Sequence, residues 1–271
     1  MSHFNTLELL SDPRGFATLW LNRAEKNNAF NAEMIRELIL ALDQVAGDAN
    51  VRFLLLRGRG KHFSAGADLA WMQQSAELDY QTNLDDAREL AELMYNLAKL
   101  KIPTLAVVQG AAFGGALGLI SCCDMAIGAD DAQFCLSEVR IGLAPAVISP
   151  FVVQAIGERA ARRYALTAER FDGQRAREIG LLSESYPLAD LEQRVEKWID
   201  NLLLNSPAAM RASKELLREV SNGALTPALR RYTENAIARI RVSPEGQEGL
   251  RAFLQKRAPN WQPESTPKEP R

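Results

Sequence analysis

The stretch TLAVVQGAAFGGALGLISCCDMAIGAD (Thr104–Asp130) carries the clearest fold signal in the chain. It opens with an apolar run that ends in Gly110, which is typical of a buried strand in a covered sheet. The paired glycines Gly114 and Gly115 follow, where the strand pattern gives way to a helix, and a new strand pattern begins at Asp124. Glycine at such a turn lets a ligand approach the main chain, so we expect a binding site there.

The same alternation of strand and helix patterns runs through the first half of the chain. The predicted elements are a hairpin of Thr6–Leu10 with Phe16–Asn22, a helix from its candidate N-cap Asn31 to Val45, a buried strand at Val51–Gly58, a helix at Leu84–Leu100, and short strands at Asp124–Ala129 and Ala132–Leu136. Such alternation is typical of βαβ units. We therefore expect an α/β fold with a mostly parallel sheet that helices cover.

From about residue 150 the strand patterns fade and helical periodicity dominates. The helical patterns cover 157–171, 172–182, 191–205, 206–220, 226–242 and 243–257. Thr226 and Ser243 each precede a proline at the start of such a pattern, as helix N-caps do. The sequence thus predicts an α/β core over residues 1–200 and a helical region over 201–260. The tail, 261–271, is rich in proline and charge, and we expect it to be frayed.

Composition excludes several classes of protein. The chain has 271 residues and a formal net charge of −2, so no overall field favours nucleic acid or an anionic membrane. Its two histidines, His3 and His62, argue against a His-based metal site or catalytic triad. The three cysteines have neither metal-ligand nor redox spacing. Because the N-terminus lacks the apolar region of a secretory signal, we expect a cytoplasmic protein without a membrane span.

Three breaks between predicted elements expose backbone: His62–Leu69, Gly110–Gly118 and Phe134–Pro145. Small residues in the first two would let two main-chain N–H groups converge as an oxyanion hole. In the third, Glu138 stands among apolar neighbours, and burial of an acid suits it to proton transfer near neutral pH. Each break alone is more typical of an ordinary tight turn, and a lone glutamate of a cap or a surface carboxylate. Their order and spacing together indicate a catalytic site.

As a set, these segments resemble the crotonase (enoyl-CoA hydratase/isomerase) superfamily. The resemblance covers almost the whole chain through LNRAEKNNAFN (Leu21–Asn31), FSAGADL (Phe63–Leu69), IPTLAVVQGAAFGGALGL (Ile102–Leu119), CDMAIGADDAQFCLSEVRIGLAP (Cys123–Pro145), RYALTAERFDGQRAREIGLL (Arg163–Leu182) and SPEGQEGLRAFLQKRAPNW (Ser243–Trp261). It implies a core spiral of ββα turns, a helical C-terminal trimerisation region, and a homo-oligomer that is a trimer or a dimer of trimers. It also implies acyl-CoA thioester substrates, no metal, and no cofactor beyond the coenzyme A of the substrate.

The resemblance also assigns roles to residues. The oxyanion hole maps to the N–H groups of Ala67 and Gly115, with Gly114 beside them in contact with the substrate. The remaining positions that match coenzyme A contacts are Lys26 and Ala29 in a loop, Ala65, Asp68 and Leu69 around the adenine, and Phe253 and Lys256 near the nucleotide, often that of a neighbouring subunit. For the two lysines, a solvated surface position is an equally good interpretation.

The acids are where this sequence departs from the family pattern. Hydratases of the family typically carry two glutamates. The downstream one falls on Glu138, and the position of the upstream one, which orients the attacking water, is Gly118. Asp85 and Asp86 in the neighbouring predicted helix fit solvated or capping positions better than a replacement. Arg140 could pair with Glu138 or lie on the outer face, and the sequence leaves both open.

Three functions remain open from the sequence. The run Ser137–Phe171 resembles hydratases of 3-methylglutaconyl-CoA, in leucine catabolism, and of isohexenylglutaconyl-CoA (γ-carboxygeranoyl-CoA), in acyclic terpene catabolism. Since such relatives can also have glycine at the position of Gly118, we favour a hydratase of this type. A single acid at the downstream position is also the pattern of many Δ3,Δ2-enoyl-CoA isomerases. A non-catalytic acyl-CoA-binding protein is the third possibility, because a fold alone does not fix activity.

A physical argument favours the glutaconyl substrate. It carries a carboxylate close to the carbon that water attacks, and a second protein carboxylate nearby would repel it by some kcal/mol. We expect Gly118 to remove that conflict and to leave room in the pocket. The depth of the acyl pocket would then depend on Trp71, Met72, Leu84 and the stretch Ala146–Phe151.

Overall fold

A computed structural model of the chain describes residues 4–221 and 223–262. The described residues form two compact units, one within 1–100 and 104–195 and the other within 101–103 and 196–271. Most of the predicted tail, from residue 263 onward, lies outside the described residues.

The described part of the first unit contains nine strands and most of the helices. In chain order the elements are β1 Leu7–Asp12, β2 Phe16–Leu21, α1 Ala32–Gly47, β3 Leu54–Gly58, α2 Leu69–Glu77, α3 Tyr80–Lys99, β4 Thr104–Val108, β5 Ala111–Phe113, α4 Gly115–Cys122, β6 Met125–Ala129, β7 Gln133–Cys135, α5 Ser149–Thr167, β8 Phe171–Asp172, α6 Gly173–Glu178, β9 Glu184–Tyr186 and α7 Leu191–Leu203. Short 3-10 turns lie at Ala24–Lys26, Glu138–Ile141 and Leu188–Asp190. Most of α7, from Glu196 onward, belongs to the second unit.

Two sheets organise the first unit. The larger has six strands in the order β1-β2-β3-β4-β6-β9 and is parallel except for the β1–β2 hairpin. The smaller has the order β5-β7-β8, with β5 and β7 parallel. Every residue of β4 is buried, as expected of a strand covered on both faces. The predicted mostly parallel, helix-covered sheet and its hairpin are confirmed.

The helix boundaries follow local chemistry. Asn31 caps α1 by accepting from the Met34 N–H, and the apolar face of α1 is buried. In the second unit, α8 Pro207–Ser221, α9 Pro227–Val242 and α10 Pro244–Leu254 follow one another. Thr226 and Ser243 cap the last two helices, as predicted. Glu245 ties α10 to the start of α8 by accepting from Ser206 Oγ at 2.5 Å and Ala208 N at 2.9 Å.

Several boundaries differ from the sequence prediction. Strands continue beyond residue 150, because β8 and β9 form where helices or loops were expected. They have two and three residues, too few to show a period of two. The helix α2 was not predicted, since none of its residues is buried and it has no apolar stripe. The helix α5 begins at Ser149 rather than at Gly157, where its backbone leaves the helical region at φ 76° and ψ 157°.

Candidate active site

The loop His62–Leu69 is held between two other segments by main-chain hydrogen bonds. On one side, Ser64 N donates to Ala111 O and Phe113 N donates to Ser64 O, both at 3.0 Å. On the other side, Phe30 N donates to Gly66 O at 2.7 Å and Asp68 N donates to Phe30 O at 2.8 Å. The structure therefore places two of the three predicted breaks, the loop and the β5–α4 turn, side by side.

Both predicted oxyanion donors lie against Phe30. Ala67 pairs with its main chain in a parallel bridge, and a Cβ built on Gly115 would lie 3.5 Å from Cε2 of its ring. Gly115 is the first residue of α4, so its N–H has no acceptor within the helix. Within 4–221 and 223–262, no main-chain acceptor meets the N–H of Ala67 either. Two amides in this state can stabilise a thioester oxygen that gains negative charge.

Glu138, which follows β7 in the chain, lies against the same glycine turn before α4. Parallel pairing aligns Phe113 with Cys135, and the Gly114 N–H donates to Cys135 O at 2.9 Å. The 3-10 turn that opens at Glu138 follows directly, and Oε1 of Glu138 would lie 3.2 Å from a Cβ on Gly114. The sheet register thus brings the predicted acid to the paired glycines.

The environment of Glu138 suits proton transfer. Its Oε2 is buried and finds no hydrogen-bond partner among the described residues. Desolvation by burial raises the pKa of this carboxyl group, against a smaller opposing effect of a main-chain hydrogen bond. A carboxyl group with a raised pKa keeps its proton at a pH closer to neutral. It can therefore donate that proton and accept one back during a reaction.

Arg140 takes the second of its two predicted arrangements. Its Nη2 donates to Ala168 O at 2.7 Å, and the side chain is exposed. Cys135 Sγ contacts the same carbonyl at 3.2 Å. The salt bridges found among the described residues do not include Glu138. Arg140 therefore fastens the turn that carries the acid and does not neutralise the acid.

The room expected at Gly118 is not there, and that prediction is wrong. A Cβ built on Gly118 would lie 2.9 Å from Ile148 Cβ, closer still to Ile148 Cγ2, and 3.0 Å from Met94 Cε. Ile148 is 3% exposed and Met94 is fully buried. Gly118 lies one helical turn from Gly115 on α4, so these two apolar side chains form a wall beside the predicted oxyanion hole. The Cβ atom of any side chain at position 118 would therefore clash with Ile148 and Met94.

The residues predicted around the adenine and those predicted in the coenzyme A-binding loop lie along one loop system. Ala65 N donates to Asn27 O at 2.9 Å, and Ala29 N donates to Lys26 O at 3.0 Å. The side chains of Lys26 and Leu69 are exposed. The structure brings these positions, together with Asp68, onto the two adjoining segments 26–29 and 65–69.

The side chain of Asp68 is engaged within the protein. It caps α2 through the Ala70 N–H at 2.9 Å and forms an ion pair with Arg23 at 3.0 Å. Burial alone would raise the pKa of Asp68, but the hydrogen bonds from Arg23 and from main-chain amides outweigh it and lower the pKa. A ligand here would meet the main chain of Asp68 rather than its carboxylate.

Phe253 and Lys256 belong to the second unit, whereas the other predicted site residues belong to the first. Phe253 lies on α10 and is 82% exposed. Lys256 follows the helix with a positive φ of 54° and is also exposed. Judged from the described residues, both side chains are therefore accessible to a binding partner.

Two polar residues that the sequence analysis did not single out hold the loops together. Asn28, at 0% exposure, donates to Arg59 O and His62 O, both at 2.8 Å, and accepts from Arg23 N at 2.9 Å. His62 Nδ1 accepts from Ala111 N at 2.9 Å, and burial, with the nearby charge of Lys61, lowers its pKa. The doublet Asn27–Asn28 is a usable signal, because asparagine tolerates the left-handed backbone that both residues adopt.

The described residues contain neither a metal-binding cluster nor a membrane-spanning helix. No group of three or more His, Cys, Asp or Glu side chains there is placed to hold a metal ion. None of the helices there has the length and apolar character needed to cross a membrane.

Comparison with known proteins agrees with this architecture. Residues 12–264 match the family model described as enoyl-CoA hydratase/isomerase. The crystal structure of an enoyl-CoA hydratase from Shewanella pealeana is 50% identical with a TM-score of 0.91, covering 95% of this chain and 96% of that one. This shows the crotonase fold with its helical C-terminal region.

Two curated relatives carry named activities. The hydroxycinnamoyl-CoA hydratase-lyase of Pseudomonas fluorescens is 35% identical over 203 residues, 74% of each chain. The 2,3-dehydroadipyl-CoA hydratase of Escherichia coli is 29% identical over 244 residues, 90% of this chain and 93% of the relative. The sequence match, the fold and the placement of the glycines and Glu138 agree, and the chain belongs to the enoyl-CoA hydratase/isomerase, or crotonase, family.

Proposed function

We propose that this protein is an enoyl-CoA hydratase that adds water across the 2,3 double bond of a branched glutaconyl-type CoA thioester. Candidate substrates are 3-methylglutaconyl-CoA and isohexenylglutaconyl-CoA, which belong to leucine and acyclic terpene catabolism. The observation that carries the proposal is the buried, unpartnered Oε2 of Glu138, on the acid that lies against Gly114 next to the Gly115 amide.

In the proposed reaction the thioester oxygen accepts hydrogen bonds from the N–H groups of Ala67 and Gly115. Water attacks the β-carbon, and the negative charge that develops on the thioester oxygen is stabilised by the two amides. Glu138 donates its proton to the α-carbon and then takes up the proton that the attacking water releases. The acid is regenerated in each cycle, so one carboxyl group balances the protons.

The apolar wall supports a substrate that carries its own carboxylate. Ile148 and Met94 occupy the space beside Gly118, so this part of α4 offers no protein carboxylate to orient water. A glutaconyl group would supply one next to the β-carbon. The named substrate of the Escherichia coli relative, 2,3-dehydroadipyl-CoA, is likewise a thioester of a dicarboxylic acid. Of the two reasons expected for Gly118, extra room is dropped, and the exclusion of a second acid is kept.

The coenzyme A portion would contact the two adjoining loop segments. Lys26, Ala29, Ala65 and Leu69 are proposed contacts, together with the main chain of Asp68. Phe253 and Lys256 are proposed contacts of a coenzyme A nucleotide, which the family resemblance often assigns to a neighbouring subunit. We further propose a homo-oligomer, as a trimer or dimer of trimers, in the cytoplasm.

A Δ3,Δ2-enoyl-CoA isomerase is the second candidate, and the same apolar wall favours it. Isomerisation needs no water, only one carboxyl group that moves a proton between two carbons. Glu138 beside the two amides would suffice. Binding without turnover is the remaining alternative and predicts no role for Glu138.

A substrate panel separates these functions. We expect hydration of 3-methylglutaconyl- or isohexenylglutaconyl-CoA with a kcat/KM about 100-fold above that of crotonyl-CoA, the upper scale of one hydrogen bond to a charged group. Equal values on all three would refute the proposed substrate, and faster conversion of a 3-enoyl-CoA would favour the isomerase. Glu138→Gln should abolish turnover and leave binding of the thioester nearly unchanged. Activity that survives this substitution would refute the role of Glu138.

A further inference from the structure

Gly114 has a backbone conformation that only glycine adopts readily. It precedes α4 as the N-cap residue, with φ 53° and ψ −120°. A side chain in this region strains the main chain, so the turn by itself explains part of the need for glycine.

Gly114 also lies directly against the proposed acid. A Cβ built on it would lie 3.2 Å from Oε1 of Glu138 and 3.8 Å from the carboxyl carbon. Apart from its chain neighbours, no other described residue places an atom within 4 Å of that position. The hydrogen bond from Gly114 N to Cys135 O fixes this arrangement, because it ties the turn to the strand that leads into Glu138.

We propose that Gly114 is a positioning residue for Glu138, an inference that rests on the proposed function of Glu138. With only hydrogen on its Cα, Gly114 lets the carboxyl group lie against the main chain, one residue from the Gly115 amide. A methyl group at 114 would move Oε1 by a few tenths of an ångström. The family resemblance predicted that Gly114 contacts the substrate. Contact with Glu138 explains the need for glycine at this position without any substrate contact.

A double-mutant cycle tests the inference. Gly114→Ala should lower kcat about ten-fold, since a misplacement of 1 Å can cost about 100-fold, while KM stays within about three-fold. Aspartate is one methylene shorter than glutamate and would not reach the new methyl group. In a Glu138→Asp background, Gly114→Ala should therefore lower kcat by less than about three-fold. Backbone strain and any shift of the Gly115 amide affect both backgrounds and cancel in the ratio.

Gly157→Ala is the matched control for strain. Gly157 also has a positive φ, of 76°, but a Cβ there would meet nothing within 4 Å. This variant should lose stability without a change in kcat. Equal fold-losses of kcat from Gly114→Ala in the wild-type and Glu138→Asp backgrounds would overturn the positioning role.

A stability measurement covers the case in which Gly114→Ala does not fold well enough to assay. Glu138→Ala should raise the melting temperature more in the Gly114→Ala background than in the wild-type background, because it removes the group that the new methyl contacts. An equal gain in both backgrounds would overturn the inference. Full activity of Glu138→Gln would instead overturn the proposed acid itself, so the two failures are distinguishable.

Discussion

Substitution of Gly118 by alanine tests whether the wall beside α4 is as tightly packed as the structure indicates. The new Cβ would lie 2.9 Å from Ile148 Cβ and 3.0 Å from Met94 Cε, against an optimal carbon–carbon separation of about 3.5–4.0 Å. Both neighbours are buried, so neither can rotate into solvent. Overpacking of this kind costs about 1–3 kcal/mol. We expect the free energy of unfolding to fall by that amount.

Shortening Ile148 provides the control for this prediction. Ile148→Ala alone leaves a cavity and should cost about 2–5 kcal/mol. In the double variant the methyl group at 118 fills part of that cavity, so the combined loss should be at least about 1 kcal/mol smaller than the sum. Urea and thermal denaturation of the three variants, at one protein concentration, measures this difference. Additive losses, or a Gly118→Ala protein as stable as the wild type, would refute the packing argument.

Two further predictions concern Glu138 and Asn28. Because burial raises the pKa of Glu138, the folded protein binds more protons than the unfolded chain above the ordinary glutamate pKa, and its stability falls as pH rises through the raised value. Glu138→Gln should therefore melt above the wild type at pH 8, by a margin that shrinks towards pH 4; a constant margin would contradict this. Asn28→Ala removes the hydrogen bonds of three partly buried main-chain groups. It should cost about 3 kcal/mol and raise the KM for the thioester, whereas an unchanged melting temperature would show that other groups hold the loops.

Much of the fold could be predicted because its signals are local. The cap of Asn31 on α1 and the apolar faces of α1 and α3 each depend on residues within a few positions of one another. The same holds for the glycine-rich turn before α4. By contrast, β8 and β9 exist only because a neighbouring strand supplies their hydrogen bonds, and their own two or three residues carry no period.

The candidate site likewise contains some residues that local sequence signals reveal and others that only tertiary packing reveals. Glu138 and the paired glycines stand out from their own neighbours in the sequence. The contact between Gly118 and Ile148 joins residues that are 30 positions apart, and no spacing rule predicts how far one side chain reaches into the gap beside another. Ala146–Phe151 was expected to shape the pocket, but only the packing shows that Ile148, within that stretch, lies against α4 at Gly118.

Both proposed oxyanion donors are main-chain amides, and this affects how such a site can change over evolution. Almost every amino acid keeps the N–H group, so substitution at Ala67 leaves the donor in place unless proline removes it. Stabilisation of the thioester charge is therefore insensitive to most point mutations at that position. The side chains around the glycines of α4, such as Ile148 beside Gly118, can meanwhile change without removing either donor. An enzyme built in this way can come to accept substrates with new acyl groups while the two amides that stabilise the thioester charge stay unchanged.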